Sequence, residues 1–505
     1  MTQLMPTIEE LSMFCKRKGL MYASSEIYGG LAGLYDYGHT GTLLKHNFEK
    51  LWRVYFLGLA DNYYEIEASE IMHENTFVAS GHLKNFIDPV ALCKNKHVER
   101  ADHALERKTG KRFEGMNKEE LIKLMQEHKV LCLTCGNPIV NIEVINMMFP
   151  LNMGVGQSTR AFLRPETAQS PYVNFKRQLD VMRKKLPLGL AVIGRAYRNE
   201  ISPRNFVLRQ RAFTQAELQI FFNPSLITEH DDFASVAKEK IRVMFADSRD
   251  KGVQELTCQE LAKKLPKFYV YHMAKVQQFY LNEMNIPHEK FRLYELNEKE
   301  RAFYNKYHFD IELELETWTE VGGIHYRTDH DLKGHQEVSK QNMEFVDDET
   351  KERFIPHVLE LSFGVDRNVY SLIHLGYTPD KERENTVLRI KPSLAPFTAG
   401  VFPLLSNKPE LVAKAEEVHS LLKKGFVCIY DQSGSIGRRY ARQDELGTPY
   451  CIAIDFDSLN ANDVTIRNRD NTTQIRVPIA KLVNTIQKLL EGKEFEKAGK
   501  IVQKD

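Results

Sequence analysis

The segment that most constrains this chain is residues 209–220, where large polar residues alternate with small or apolar ones. Successive side chains of a β-strand point to opposite faces, so the alternation predicts a strand with one polar and one apolar face. The polar face would carry Arg209, Arg211, Phe213, Gln215, Glu217 and Gln219, and the apolar face Ala212, Thr214, Ala216, Leu218 and Ile220. Two arginines, a ring and a carboxylate on one face favour a ligand floor over a solvated surface.

A preceding strand places Arg198 and Glu200 two residues apart, so both would point the same way. Residues 201–208, which include Pro203, form the predicted turn between the strands. Guanidinium groups match phosphate oxygens, a ring can stack on a base, and a carboxylate can accept from an exocyclic amine. The hairpin therefore predicts a nucleotide site. The alternative is an ordinary hairpin with surface ion pairs.

A second segment, residues 357–367, combines a short apolar strand with a helix that begins near Val365. Glu360 and Ser362 would share one face of the strand. Gly364 permits a close backbone approach to a ligand, and Arg367 lies in the first helical turn, where the dipole favours phosphate. The alternative is an ordinary surface arginine.

A third segment, residues 163–169, contains Pro165, which restricts Arg164 to an extended conformation and predicts a helix start around Glu166. Glu166 would then be either a partner of the helix dipole or, beside Glu217 and Glu360, a third carboxylate for one ammonium group.

The length of 505 residues predicts roughly two to four domains. The 69 Lys and Arg balance the 68 Asp and Glu, so bulk charge argues neither for nor against a polyanionic partner. Seven cysteines with a single close pair are typical of a reduced compartment. Residues 1–18 contain no apolar leader and no run is long and apolar enough to span a bilayer, so we expect a cytoplasmic protein without membrane contact.

Periodicity along the chain predicts an α/β (α+β) protein with a second, mixed α/β domain at its end. In the first part of the chain we predict a helix at 41–57 and strands at 63–71, 139–149, 190–222, 309–321 and 357–363. Two charged helical insertions are predicted at 85–125 and 224–300. A separate domain is predicted at 387–491, with strands at 426–430 and 450–455 and a helix at 410–423.

These segments match a known family. Tyr197-Arg-Asn-Glu200 followed by Arg209-x-x-x-Phe213 resembles motif 2 of the class II aminoacyl-tRNA synthetases, and Gly364-Val-Asp-Arg367 resembles motif 3. Within that class the chain is similar to the homodimeric type of glycyl-tRNA synthetase. This resemblance is carried by Ser24-Ser-Glu-Ile-Tyr-Gly-Gly30, Leu34-Tyr-Asp-Tyr-Gly38, Asn146-Met-Met-Phe149, the run from Arg164 to Gln169, Arg198-Asn-Glu-Ile-Ser-Pro-Arg-Asn-Phe206, Tyr326-Arg-Thr-Asp329, Asp431-x-Ser-Gly-Ser-Ile-Gly-Arg438 and Arg442-Gln-Asp-Glu-x-Gly-Thr-Pro449.

The resemblance implies a class II antiparallel-sheet catalytic domain over residues 1–384, with insertions at about 85–138 and 223–305, and an anticodon-binding domain over 385–505. It implies ATP-dependent activation of glycine to glycyl-adenylate and transfer of glycine to the 3′ end of tRNA-Gly. ATP would be a substrate, Mg²⁺ would bridge its phosphates, and the protein would be a cytoplasmic homodimer.

The same resemblance implies residue roles. Arg198, Arg209 and Arg367 would be catalytic, with Arg198 at the α-phosphate and the other two at the γ-phosphate; Glu200 would accept from the adenine amine and Phe213 would stack on adenine. The implied ATP set is Arg198, Asn199, Glu200, Leu208, Arg209, Gln210, Arg211, Ala212, Phe213, Glu320, Val321, Gly364, Val365, Asp366 and Arg367. The implied glycine set is Arg100, Glu166, Phe213, Thr214, Gln215, Ala216, Glu217, Glu360, Leu361, Ser362, Phe363 and Gly364.

The pair Cys132-x-x-Cys135 resembles half of a zinc knuckle, but a closed structural zinc site needs four ligands. Cys93 or His128 can assist, yet the sequence has no second Cys-x-x-Cys. We therefore expect a remnant without zinc and no metal ligands.

Two groups of residues are candidates for contact with tRNA. Arg438, Arg439, Tyr440 and Arg442 combine charge with a ring able to stack on an unpaired base, and a solvated helix start is an equal alternative. The turn at 201–208, with Arg204, is expected to touch the acceptor end.

Two other functions compete with the synthetase hypothesis. One is a paralogue that lost the chemistry and serves as a nucleic-acid-binding accessory subunit; the presence together of Arg198, Glu200, Arg209, Phe213 and Arg367 argues against it. The other is a class II synthetase for serine or another small amino acid, which the three glutamates and the 164–169 run disfavour.

Overall fold

The computed structural model describes residues 6–502 except 111–112, 114–115, 117, 156–158, 184, 202, 204 and 303. Contacts divide the chain into two compact units. The terminal unit comprises Met1–Tyr22, Asp36–Leu51 and Val369–Asp505, and the central unit comprises Ala23–Tyr35 and Trp52–Asn368. The predicted domain boundary after residue 384 stays a prediction.

The central unit is built on a nine-stranded sheet. Its spatial order is Gln254–Thr257, Lys240–Met244, Phe291–Glu295, Tyr307–Glu314, Trp318–Thr328, His357–Gly364, Ala212–Phe222, Leu188–Tyr197 and Tyr63–Glu65. The second and third of these strands pair in parallel, as do the last two, and the other neighbours are antiparallel. The predicted antiparallel-sheet fold is confirmed.

Register fixes which residues of the three middle strands share a face. Ser362 lies opposite both Glu217 and Gly323, and Glu360 lies opposite Gln219 and His325. Directly opposite residues point to the same side of a sheet. One face of the sheet therefore collects carboxylates and polar groups.

The reverse face of the same strands is the hydrophobic core. Ala216, Leu218, Leu361 and Phe363 are fully buried there, and the ring of Phe363 lies 5.9 Å from that of Trp52 in an edge-on arrangement. Burial of apolar side chains on this face packs the strands against the core and leaves the polar face free to bind ligands.

Smaller sheets and helices complete the central unit. The sheets are Ile71–His73 with Thr159–Leu163 and Phe149–Met153, Val98–Arg100 with Ile87–Cys93 and Ile139–Asn146, and Phe345–Val346 with Arg353–Phe354. The α-helices are Glu74–Ala79, His82–Asn85, Ala101–Thr109, Lys118–Glu127, Gln169–Met182, Phe233–Val236, Cys258–Leu261, Lys267–Gln278 and His330–Ser339. Helices His39–Leu57 and Val365–Gly376 and the short strands Met21–Ala23 and Tyr35–Tyr37 run across the division between units.

The terminal unit is mixed α/β, as predicted. Its six-stranded sheet has the order Cys428–Tyr430, Ala399–Pro403, Tyr450–Ile454, Asp463–Asn468, Gln474–Pro478 and Lys500–Ile501, with the first three parallel. Its remaining elements are the helices Ile8–Arg17, Pro409–Leu422, Ile436–Leu446, Phe456–Ala461 and Ile479–Leu490 and the hairpin Tyr377–Asp380 with Asn385–Leu388.

The amino-terminal helix Ile8–Arg17 belongs to this unit, which was not predicted. A capping box between Thr7 and Glu10 starts the helix. The ring of Phe14 packs edge-on against Tyr377 at 5.1 Å. Phe14 is buried, so this contact packs the helix Ile8–Arg17 onto the strand Tyr377–Asp380.

Three local predictions were wrong. The segments at 85–125 and 224–300 are not wholly helical, because they contain the strands Ile87–Cys93, Lys240–Met244 and Phe291–Glu295. Ile241 and Val243 are fully buried within a Lys-rich stretch, so pairing with neighbouring strands overrides a charged composition. The helix expected at Glu166 begins at Gln169. No α-helix among the described residues combines the length and apolar character needed to cross a membrane.

Candidate active site

An open cavity lies over the polar face of the middle strands. It brings together most of the predicted site residues: Glu166, Arg198, Glu200, Leu208, Arg209, Gln210, Phe213, Thr214, Gln215, Glu217, Glu320, Val321, Glu360, Ser362, Gly364, Asp366 and Arg367. Segments distant in sequence therefore meet in one pocket of the central unit.

Eight predicted residues do not line this cavity: Arg100, Asn199, Arg211, Ala212, Ala216, Leu361, Phe363 and Val365. The strand begins at Ala212, so alternation does not extend to Arg211, which instead donates to the carbonyls of Glu200 and Ala32. Ala216 and Leu361 lie on the buried reverse face.

One end of the cavity is cationic. The guanidinium of Arg198 lies 5.2 Å from the centre of the Phe213 ring, and its Nε donates to the carbonyl of Pro165 at 3.0 Å. Arg367 Nε donates to the carbonyl of Leu208 at 3.1 Å. These contacts fix planar guanidinium forks at the pocket wall, where they can meet phosphate oxygens.

Glu200 is buried beside these arginines. Its Oε2 has no hydrogen-bond partner among the described residues, and the nearest cationic atom is Arg209 Nε at 3.8 Å. A buried acceptor without a donor is costly, and a ligand amine can satisfy it.

The other end of the cavity is acidic. Glu217 accepts from the hydroxyls of Thr167 at 2.6 Å and Ser362 at 2.8 Å. Burial, together with the charges of Glu360 and Glu166, raises the pKa of Glu217 to about 8, although both hydroxyl bonds oppose the shift. Several carboxyl groups therefore lie close together at this end of the cavity, and they would stabilise an additional cation.

Arg327 also lines this end of the cavity, and no role was predicted for it. Its Nη1 lies 2.9 Å from Glu360, its Nε 2.9 Å from Asp331, and its Nη2 3.4 Å from Glu166. Burial raises the pKa of Glu166, but Arg327 and then His82 outweigh burial and hold that pKa well below its usual value. Arg327 belongs to the Tyr326-Arg-Thr-Asp329 motif, so the family resemblance had already marked this residue.

Two glycines of the strand Trp318–Thr328 also line the cavity and were not predicted. A Cβ on Gly322 would lie 2.4 Å from the carbonyl oxygen of Ser362, and one on Gly323 would lie 2.4 Å from His325 Nε2. Side chains would therefore force the strand away from its neighbour or displace His325.

The helix that begins at Val365 is anchored to the floor strand. Asp366 Oδ2 accepts from the backbone N–H of Thr214 at 2.6 Å. This bond joins the start of the helix to the strand that carries Phe213 and Glu217, and it holds Arg367 near Glu320, where Nη1 lies 3.1 Å from Oε2.

Arg100 lies in a neighbouring cavity that shares Arg209, His308, Glu320 and His325 with the first. It pairs with Asp88 at 2.9 Å and Asp102 at 2.6 Å. The adjacent His103 contacts Arg209 at 3.3 Å. Arg100 is therefore connected to the arginine wall through its neighbours rather than through the glutamate cluster.

The candidate tRNA patch of the terminal unit is only partly available. Arg439 is 1% exposed and donates to the carbonyls of Pro403 and Gly434, so its role is structural. Tyr440 is covered by the guanidinium of Arg467 at 4.8 Å. Arg438 remains exposed. Arg204, the predicted acceptor-end contact, lies outside the described residues.

The sheet and its site define a class II aminoacyl-tRNA synthetase. Residues 156–374 match the family described as tRNA synthetase class II core domain (G, H, P, S and T), and residues 398–489 match the family described as anticodon binding domain. The prolyl-tRNA synthetase of Cryptosporidium parvum, solved with L-proline and AMP, aligns with a TM-score of 0.57 at 13% identity, over 96% of this chain and 75% of that one, which shows the shared fold.

Relatives that match over nearly their full length identify a subgroup within this class of synthetases. The glycine–tRNA ligase of Pyrococcus furiosus is 35% identical, over 96% of this chain and 99% of its own length. That of Bacillus cereus is 36% identical, over 96% of this chain and 100% of its own length. The chain belongs to the glycine–tRNA ligase family.

Proposed function

We propose that this chain joins glycine to the 3′ end of tRNA-Gly in two steps, through glycyl-adenylate. The observation that carries the proposal is one cavity with three arginines at one end and a glutamate cluster at the other. A cationic wall suits the phosphates of ATP, and an acidic pocket suits the ammonium of an amino acid.

In the first step the glycine carboxylate attacks the α-phosphorus of ATP and pyrophosphate leaves. Arg198 binds the α-phosphate, where negative charge develops, while Arg209 and Arg367 hold the leaving phosphates. Phe213 stacks on adenine and Glu200 accepts from its amine, which satisfies the unpaired Oε2. The chain needs no nucleophile of its own, because positioning and charge supply the catalysis.

The glycine pocket selects by charge and by lack of space. Glu166, Glu217 and Glu360 surround the ammonium, and Ser362, which is tied to Glu217 at 2.8 Å, fills space beside it. An extra methylene that is merely accommodated gives only about 1–3 kcal/mol of discrimination, whereas a steric clash gives more. Alanine is therefore expected to be a poor substrate.

Mg²⁺ fits the phosphate end. It prefers oxygen ligands and binds through one or two carboxylates together with substrate phosphates. Glu320, beside Arg367 at 3.1 Å, is the residue we propose to hold it. Bound there, the ion would neutralise phosphate charge during transfer.

A homodimer is proposed from the family and from an exposed apolar segment. Ile27 is 88% exposed and Tyr28 is 87% exposed, within the Ser24-to-Gly30 signature. Adjacent large apolar side chains in solvent are typical of an interface. We also propose that the terminal unit binds tRNA and that the protein is cytoplasmic.

The test is ATP–pyrophosphate exchange with each amino acid in turn, followed by charging of unfractionated tRNA. We expect exchange with glycine and transfer to tRNA-Gly. Exchange with alanine or serine as efficient as with glycine would contradict the assigned specificity. Tight tRNA binding without any exchange would instead identify an accessory subunit.

A further inference from the structure

Four potential metal ligands meet outside the cavity described above. They are Cys93, His97, Cys132 and Cys135, and their ligand atoms all lie within 4.8 Å of one another. We propose that they form a structural zinc site of the Cys₃His type. The ground for expecting no zinc was a missing second pair of ligands, and Cys93 with His97 supplies that pair.

The distances suit tetrahedral coordination. Cys93 Sγ lies 3.6 Å from Cys135 Sγ, and Cys132 Sγ lies 3.7 Å from His97 Nδ1. Zinc–sulfur bonds of about 2.3 Å in a tetrahedron place two sulfur atoms about 3.8 Å apart. A disulfide needs about 2.05 Å, and all seven cysteines are free.

Two turns of similar design present the ligands in pairs. In the first, the N–H of Lys96 donates to the carbonyl of Cys93 at 2.9 Å, and the N–H of Cys93 donates to the carbonyl of His97 at 3.2 Å. Lys96 has a left-handed φ of 60°. The turn folds the chain back so that Cys93 and His97 face the same point.

The second turn repeats this arrangement. The N–H of Gly136 donates to the carbonyl of Cys132 at 2.9 Å, and the N–H of Cys132 donates to the carbonyl of Asn137 at 2.8 Å. Gly136 has a φ of 69°. Two independent turns that aim ligands at one centre are expected of a metal site rather than of incidental packing.

Zinc is the metal that the ligand set favours. Three thiolates and one imidazole around a four-coordinate centre are typical of structural zinc. Cys93 and Cys132 are buried, while His97 and Cys135 are half-buried, so an ion can reach the site from solvent. With four protein ligands the coordination is closed, so a structural rather than a catalytic role is assigned.

The site would clamp the small sheet that carries Arg100. Cys93 ends the strand Ile87–Cys93, and His97 precedes the strand Val98–Arg100. Cys132 and Cys135 precede the strand Ile139–Asn146, which pairs with the first strand. Zinc would hold these strands together at the ends where their backbone hydrogen bonding stops. Metal binding contributes directly to the stability of small domains, so the ion would stabilise this sheet.

The test measures metal in the full-length chain, expressed with zinc supplied and purified without chelator. Elemental analysis should find about one zinc per chain. Cys135→Ser and His97→Ala should lower this content on the order of tenfold. His97→Cys should retain zinc, because it converts the set to four thiolates. Cys428→Ser, which changes a half-buried cysteine of the terminal unit, should match the unmodified chain.

A second measurement does not depend on whether variants fold. Co²⁺ added to the chelator-treated unmodified chain should give thiolate charge-transfer bands that saturate near about one equivalent. Absence of zinc together with absence of these bands would overturn the proposal. So would full zinc retention in both Cys135→Ser and His97→Ala, or a Cys93–Cys135 disulfide found by non-reducing peptide mapping.

Discussion

Arg327 and Glu360 form a nearly inaccessible ion pair, in which Nη1 lies 2.9 Å from Oε2 and Arg327 is 2% exposed. The same guanidinium reaches Asp331 and Glu166, so one cation serves three carboxylates. The cluster is thus held together by Arg327 and still carries an excess of acid. An incoming ammonium can neutralise that excess.

Replacement of Arg327 by Met should strongly destabilise the central unit. Removing one partner of a buried pair costs about 3–5 kcal/mol, because the remaining charges stay buried without compensation. The measurement is the midpoint of the urea transition. Arg301→Met is the matched control, since its partner Glu298 is 88% exposed at 3.4 Å, and it should change little. Equal midpoints for both variants would contradict this view of the cluster.

Glycine binding should depend on pH through Glu217, whose pKa is raised to about 8. The ammonium prefers the ionised carboxylate, so the KM for glycine should fall about tenfold per unit as pH rises toward the pKa and then level off. Exchange assays from about pH 6.5 to 9 measure this. Glu217→Gln should bind glycine weakly and show a flat profile over this range. A flat profile in the unmodified chain would disprove the assignment.

Arg198→Ala should slow adenylate formation by about 10²–10³-fold, comparable to the loss of an oxyanion-hole donor, because a preorganised cation at the α-phosphate is lost. Pyrophosphate exchange measures the rate, and a thermal melt checks the fold. The control is Arg195→Ala, a half-buried arginine of the preceding strand that does not line the cavity. If both variants lose activity equally, the effect is structural.

Arg438→Ala should raise the KM for tRNA several-fold without affecting glycine-dependent exchange, and should reduce the salt dependence of tRNA binding by about one phosphate contact. The reason is that Arg438 is exposed while Arg439 is committed to backbone carbonyls. Filter binding over a range of salt concentrations measures the slope. Arg439→Ala should instead lower the thermal midpoint. A raised KM for tRNA in Arg439→Ala, together with a lowered thermal midpoint in Arg438→Ala, would exclude this account of the patch.

The candidate site was predictable where chemistry is local. Alternation along residues 209–220 indicated that Phe213 and Glu217 share a polar face; both line the cavity, and the register places Glu217 opposite Ser362. The prediction failed at Arg211, because the strand begins only at Ala212. A pattern gives the face of a residue but not the point at which regular pairing starts.

Two partnerships between distant segments were not predicted. Arg327 reaches Glu166 across 161 positions, and His97 joins Cys132 across 35. The sequence shows each residue as one charge or one ligand, and only packing determines which groups share a small volume. The same holds for the helix Ile8–Arg17, whose Phe14 packs against Tyr377, a residue far along the chain.

The sequence by itself determined the family, the antiparallel sheet and three arginines that line the cavity, Arg198, Arg209 and Arg367, because these depend on short motifs and on the two-residue period of a strand. Tertiary structure alone decided three things: that Arg327 holds the glutamates together, that Arg439 is structural, and that four scattered ligands converge on one centre. Each of these depends on distances between chain segments that come together only when the core is packed.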